Sequence, residues 1–272
     1  MQQLVDLVHQ NANLFVLSGA GISVASGIPT YRDHNGQWQS NNPIQHHEFI
    51  GSLNHRKRYW ARSALGWKTV FNAKPNLAHH SLAELEAHSF ISSLVTQNVD
   101  RLHQKAGHKQ VVDLHGRIDQ AICLTCGKGE SREQIQNRLL DNNPILKEIT
   151  VVPAPDGDAQ VSENYFNDLV PPECLFCGGV LKPDVVFFGG TVPKMKVTQA
   201  SKALESAKAL LVVGSSLMVY SGFRFCKLAA KMGKPIIVIN QGKTRADDIL
   251  TLKIDADCAK VLADLSRTLI SQ

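Results

Sequence analysis

Leu14-Phe15-Val16-Leu17-Ser18-Gly19-Ala20-Gly21-Ile22-Ser23 is the stretch on which the fold turns. Four apolar residues in a row mark a strand buried on both faces, and the glycines after them let backbone N–H groups approach a pyrophosphate at a helix N-terminus. Alone, the turn is a weak signal, because Val24 stands where a third glycine would complete GxGxxG and the next glycine is Gly27. A tight strand-to-helix turn with no ligand would carry the same residues. Outward from it the pattern repeats: apolar runs at 94–96, 210–213 and 236–239 end in Gln97-Asn98, Gly214-Ser215 and Asn240. Helix-period segments at 79–88, 198–208 and 222–232 lie between them. This alternation predicts an α/β fold, a Rossmann-like doubly wound parallel sheet whose ligand sits beyond the carboxyl ends of the strands.

Two regions break the pattern. Residues 123–177 hold two CxxC pairs, Cys123/Cys126 and Cys174/Cys177, with a Pro-, Asp- and Asn-rich stretch at 142–158 between them. Two such knuckles place four thiolates ~2.3 Å from one tetrahedral ion, and four sulfurs leave no open position, so the spacing predicts one structural Zn2+. Cys226 and Cys258 stand outside this set, and Cys226 reads as helix packing. The second region, 35–74, is rich in His, Trp and Arg and predicts a helical lobe over the cofactor site. The expected organisation is a single domain over 1–272: a Rossmann-like lobe at about 1–34, 75–118 and 183–272, a small inserted zinc module at about 119–182, and the helical lobe at about 35–74.

Of the 272 residues, 43% are apolar and 19% charged, the balance of a folded, water-soluble chain. A net charge of +5 and a pI near 8.9 favour an anionic cofactor or acidic partner, yet no Lys/Arg run of five or more exists, so no direct nucleic-acid binding is expected. A polar break from Gln10 to Asn13 argues against a signal peptide, and no apolar window of ~18 residues predicts a membrane span. The expected location is a bacterial cytoplasm; a mitochondrial matrix protein trimmed of its presequence would read the same way.

Further motifs follow in order: Ser26-Gly27-Ile28-Pro29-Thr30-Tyr31-Arg32, Thr96-Gln97-Asn98-Val99-Asp100, Leu114-His115-Gly116, the CxxC pairs, KPDVVFFG at 182–189, GSSL at 214–217 and Ile239-Asn240. With these, the chain resembles the sirtuins, the NAD-dependent lysine deacylases, from about Leu14 to Cys258. RYWAR at 58–62, LKPDVVFFG at 181–189 and VVGSSLMVYSG at 212–222 resemble the class II branch, which has mitochondrial and bacterial members.

The resemblance implies transfer of a lysine acyl group to the ADP-ribose of NAD, with release of nicotinamide. His115 would act as the base toward the ribose hydroxyls, near-neutral titration being what that step needs. Asn98, counted with His115 as catalytic, would order a water and with Gln97 hold the nicotinamide ribose; Ile28 and Asp100 would hold the carboxamide. An Asn and an Asp at a strand end would equally serve as helix caps. The cofactor set is completed by Gly19, Ala20, Gly21, Ile22, Tyr31, Arg32, Gly214, Ser215, Ser216, Asn240, Gln241, Gly242 and Cys258. Arg32 and the serines would meet phosphate, Tyr31 would cover the nicotinamide pocket, Asn240 would hold the adenine-side ribose and Cys258 would line the adenine. Val186, Phe187, Phe188 and Gly189 form an apolar strand whose edge would pair with the acyl-lysine peptide. Family members often carry GIPDFR and FGE, where this chain has Thr30 and Gly190; the missing acids imply altered NAD ordering or peptide edge, and slow plain deacetylation.

Tyr59 and Arg62 share one helical face and offer a clamp for an acyl carboxylate, unless Arg62 is simply a solvated cation on an amphipathic helix. Glutaryl, methylglutaryl and lipoyl groups therefore stand beside acetyl. Mono-ADP-ribosyl transfer to protein and a non-catalytic NAD or ADP-ribose sensor are the rival readings; a dehydrogenase is disfavoured by the incomplete GxGxxG. A monomer is expected.

Overall fold

The computed structural model describes residues 1–33, 35–39, 43–151, 153–159 and 166–271. Residue 34, 40–42, 152 and 160–165, which fall within the lobes anticipated above, lie outside the described residues, as does residue 272.

The chain runs through α1 (Gln2–Gln10), β1 (Leu14–Ser18), a 3-10 turn at Ala20–Ser26, α2 (His46–Gly51), α3 (Leu53–Asn72), α4 (Leu77–Ala87), β2 (Ile91–Thr96), the short α5 (Leu102–Lys105), β3 (Val111–Asp113) and β4 (Gly116–Cys123). It continues through β5 (Gly129–Ser131), α6 (Arg132–Asn142), β6 (Pro153–Ala154), β7 (Asp158–Ala159), β8 (Leu181–Val185), α7 (Lys194–Ser206), β9 (Ala209–Val213), α8 (Tyr220–Lys231), β10 (Ile236–Ile239), β11 (Leu252–Ile254) and α9 (Cys258–Ile270).

Six strands form one parallel sheet in the order β11-β10-β9-β1-β2-β3. Successive side chains of a strand point to opposite faces. Leu14 and Val16 accordingly enter a core with Leu4 of α1, Leu82 of α4 and Leu262 of α9, whereas Phe15 and Leu17 enter a second with Leu204 of α7 and Phe225 of α8. Both faces are covered, which is why β1 is apolar from Leu14 to Leu17; each such side chain contributes ~1.5–3 kcal/mol by leaving water. The edge strands β3 and β11 are three half-buried residues each, too short to leave a periodic signal. Asn76 starts α4 by accepting from Ala78 N at 2.9 Å, and its Nδ2 donates to Ile22 O at 2.8 Å, so the cap also ties α4 to the turn after β1.

A second, antiparallel sheet has the order β5-β4-β8. Its core joins Ala121, Ile135, Leu139 and Leu181 to Trp60, Ala61 and Ala64 of α3. The long helix is therefore packed against the cysteine-bearing segment. β6 and β7 pair as a small arm lying on α3 at Gly66, where a Cβ would come 2.3 Å from the carbonyl oxygens of Gly157 and Asp158. The anticipated VVFF strand differs from what forms: β8 spans Leu181–Val185 and stops, because beyond it the backbone turns to bond elsewhere, Val186 N to His115 O and His46 N to Phe188 O, both at 2.8 Å. No helix among the described residues is long and apolar enough to cross a membrane.

Candidate active site

The carboxyl ends of β1 and β9 meet where the chain leaves β1 for neighbours on opposite sides, the crevice in which open α/β sheets bind ligands. The turns after these strands touch backbone to backbone. A Cβ on Gly19 would sit 2.7 Å from Ser215 Cβ, one on Gly21 would sit 2.9 Å from Gly214 Cα, and Gly214 has φ +59. Larger residues would force the two turns apart, and the glycines' own N–H groups lock them together: Gly19 N donates to Val213 O at 3.0 Å, Gly21 N to Gly214 O at 2.8 Å and Gly214 N to Ile239 O at 2.9 Å.

A cavity of about 820 Å3 opens over it. Gly19, Ala20, Gly21, Gln97 and Asn98 line its floor; Gly214, Ser215 and Ser216 line one wall, with Asn240, Gln241 and Cys258 beyond them. Tyr31 and Arg32 lie on the opposite side, where Arg32 Nη1 donates to Gly36 O at 2.6 Å and its guanidinium stacks 4.1 Å from the Trp38 ring centre. Ile22, Ile28, Asp100 and Gly242 do not reach the surface of this cavity. Asp100 lies beneath it, accepting from Ser23 Oγ at 2.6 Å and Leu102 N at 2.9 Å, and burial holds its carboxyl above the usual carboxylate range. Ile28 packs beside Trp67 and Val99. The space suits an extended dinucleotide, with a cation and backbone donors for its diphosphate.

His115 projects from the loop between β3 and β4. Its Nδ1 lies 2.9 Å from Gln97 O, a carbonyl that can only accept, so Nδ1 carries the proton and Nε2 presents its lone pair. Burial pushes the imidazole down to about 4; the Gln97 carbonyl opposes this, while Lys196 and Arg224 reinforce it. At neutral pH the ring is an uncharged base on the cavity wall.

The four thiols of Cys123, Cys126, Cys174 and Cys177 converge with all Sγ atoms within 4.8 Å of one another. The N–H groups of Cys126 and Thr125 point at Cys123 Sγ and push that thiol down to about 6. Four converging soft donors fit one tetrahedral zinc ion. The cluster is remote from the cavity lining, in keeping with a structural metal.

The profile of the Sir2 family matches residues 19–221. The chain belongs to the sirtuin family. It is 51% identical over 264 residues to an NAD-dependent protein deacetylase of Xanthomonas campestris pv. campestris, covering 97% of this chain and 90% of that one. It is 50% identical to NAD-dependent protein deacetylase 2 of Bradyrhizobium diazoefficiens, covering 97% of each. Among solved structures, a Sir2 complex with p53 peptide and NAD+ superposes with TM-score 0.78 at 30% identity over 100% of this chain and 97% of that one. A Sir2 bound to acetylated peptide gives TM-score 0.78 at 30% identity over 98% of each.

In this sirtuin the expected acyl clamp takes another form. Tyr59, Val186, Phe187, Phe188 and Gly189 line the cavity, but Arg62 does not. Arg62 is 7% exposed, and its guanidinium makes a two-pronged ion pair with Asp158, Nε donating to Oδ1 at 2.8 Å and Nη2 to Oδ2, with a further bond to Ala159 O at 3.1 Å. The sequence reading missed what the arm between the cysteine pairs does. Pro155, Asp156, Gly157 and Asp158 line the cavity, and Tyr31 donates to Asp156 Oδ2 at 2.7 Å. Burial, aided by Asp100 and Asp158, raises Asp156 to about 6. The only hint was the richness of 142–158 in Pro, Asp and Asn, which read as insertion and not as a wall of the site.

Proposed function

We propose that this sirtuin is an NAD-dependent protein lysine deacylase that moves the acyl group to ADP-ribose and releases nicotinamide. The observation that carries the reading is the fixed tautomer of His115, a neutral base whose unprotonated Nε2 meets Ser221 Oγ at 2.7 Å in the wall of the cavity. NAD supplies an electrophilic ribose carbon and a leaving group. The chain's part is to orient and to move one proton: Arg32, the Ala20 backbone and the Ser215–Ser216 turn hold the diphosphate, Gln97 and Asn98 hold the nicotinamide ribose, and His115 Nε2 accepts a ribose hydroxyl proton. Ile28 and Asp100, now under the floor, would meet the carboxamide only where the nicotinamide penetrates below Asn98. Asn240, Gln241 and Cys258 bound the adenosine end. One zinc held by the four cysteines completes a metal module within a single catalytic domain, and a bacterial cytoplasm is the location that fits the relatives.

For the acyl group, the geometry favours uncharged chains over carboxylated ones. Arg62 is neutralised by Asp158, and Asp156 adds a second carboxyl to the wall. A glutaryl carboxylate would have to displace Asp158 from a two-pronged bond, whereas acetyl or lipoyl meets Tyr59, Ile118 and Phe187 without doing so. The test is an acetyl, lipoyl, succinyl and glutaryl lysine peptide series with NAD, scored for O-acyl-ADP-ribose by mass spectrometry, with His115→Ala as control. Turnover of the uncharged acyl groups that disappears in the variant is expected. ADP-ribose attached to protein without deacylation would instead establish a transferase.

A further inference from the structure

Helix α8 begins with Tyr220-Ser221-Gly222, and this first turn is pressed against the catalytic floor. Ser221 Oγ lies 2.7 Å from His115 Nε2. Because Nδ1 of the ring is committed to the Gln97 carbonyl, Nε2 can only accept, and the Ser221 hydroxyl donates to it. The next residue is a glycine packed on Gln97: a Cβ at Gly222 would sit 2.4 Å from Gln97 Oε1. One helix turn thus contacts both the side chain of Gln97 and the free nitrogen of His115, and each imidazole nitrogen is held.

We propose that Ser221 is a positioning residue for the deacylase reaction, holding His115 Nε2 aimed into the cavity and remaining beside it as acceptor once the ring is protonated. The inference rests on the deacylase reading of the site. A ribose hydroxyl must first displace the Ser221 O–H from the single Nε2 lone pair, the serine proton turning toward the cavity; the ribose proton then passes to the ring, and the imidazolium Nε2–H has Ser221 Oγ within reach as acceptor. A bond to the charged ring is stronger than one to the neutral ring, so the serine makes His115 a better base than its burial alone allows. The charged groups that face His115 are Lys196 of α7 and Arg224 of α8, both cations that oppose its protonation. Ser221 is thus a neutral helper in surroundings that otherwise disfavour the imidazolium.

The experiment compares wild type, Ser221→Ala and Ser221→Thr with an acetyl-lysine peptide and NAD across pH, together with a 15N NMR titration of the His115 ring that needs no turnover. Expected for Ser221→Ala is a loss in kcat of ~tenfold with KM for NAD nearly unchanged, and a His115 titration displaced to lower pH. Ser221→Thr, which keeps the hydroxyl, should recover most of both. An alanine variant with wild-type kcat and wild-type ring titration would overturn the proposal, as would equal impairment of the alanine and threonine variants with an unmoved titration. If wild type turns over no acyl peptide, the deacylase reading fails by itself, and the NMR titration still decides whether Ser221 holds the ring.

Discussion

At the scale of single residues, the decisive facts are which partner each ionisable group has chosen. Arg62 has chosen Asp158, and that choice separates two roles by experiment. As a substrate clamp, Arg62→Ala would spare the fold and harm only carboxylated substrates. As the partner of Asp158, its loss leaves that carboxylate and the Ala159 carbonyl without their donor and loosens the arm on α3; the urea midpoint should fall, with acetyl and glutaryl turnover falling together. For His115 burial displaces the titration to lower pH than that of a solvent-exposed histidine. Its protonation sets the acid limb of the free enzyme, so kcat/KM should hold through pH 6 and fall only as pH nears about 4, as a pH–rate profile would show. A limb near the ordinary histidine value of ~6.5 would mean the ring is solvated before NAD binds.

At the scale of elements, contact between backbones matters more than apolar packing. Gly222→Ala would put a methyl 2.4 Å from Gln97 Oε1, so the Gln97 amide must swing away from Ser215 Oγ and Ser18 O; kcat should fall while the urea midpoint stays nearly unchanged. The strands show what the sequence could and could not tell. Residues 14–17, 210–213 and 236–239 were legible because a strand buried on both faces is apolar at every position. β3 and β11 were not, being short and half-buried, and the end of β8 was misjudged because Val186, Phe187 and Phe188 are apolar for the cavity's sake and not for a sheet's. The site residues on strand ends were legible by the same logic. Asp156, Asp158, Ser221 and Arg224 were not, since each reaches the cavity from an element whose own local pattern carries no ligand signal.

At the scale of the whole molecule, the two main sheets are held by different means. The parallel sheet rests on apolar burial, whereas the β5-β4-β8 core ends in four thiols that must share a metal. Purified protein should hold one zinc per chain by mass spectrometry, and Cys174→Ser should abolish that zinc and lower the melting temperature by ~10 °C. Acid should act on the other core. Burial lowers His79 to about 3 and His115 to about 4, so their contribution is complete above ~6.5 and lost as pH falls toward those values, by ~2 kcal/mol for each at pH 5. Urea midpoints measured at pH 7 and pH 5 should differ accordingly.

The arm carrying Asp156 and Asp158 lies in sequence between the two halves of the zinc ligand set. It is a closed loop, pinned at both ends by one ion, and a pinned loop has far fewer shapes to wander through than a free one. Coordination chemistry that lies outside the cavity lining is thus tethered, through the chain, to the wall that Asp156 and Asp158 give the site.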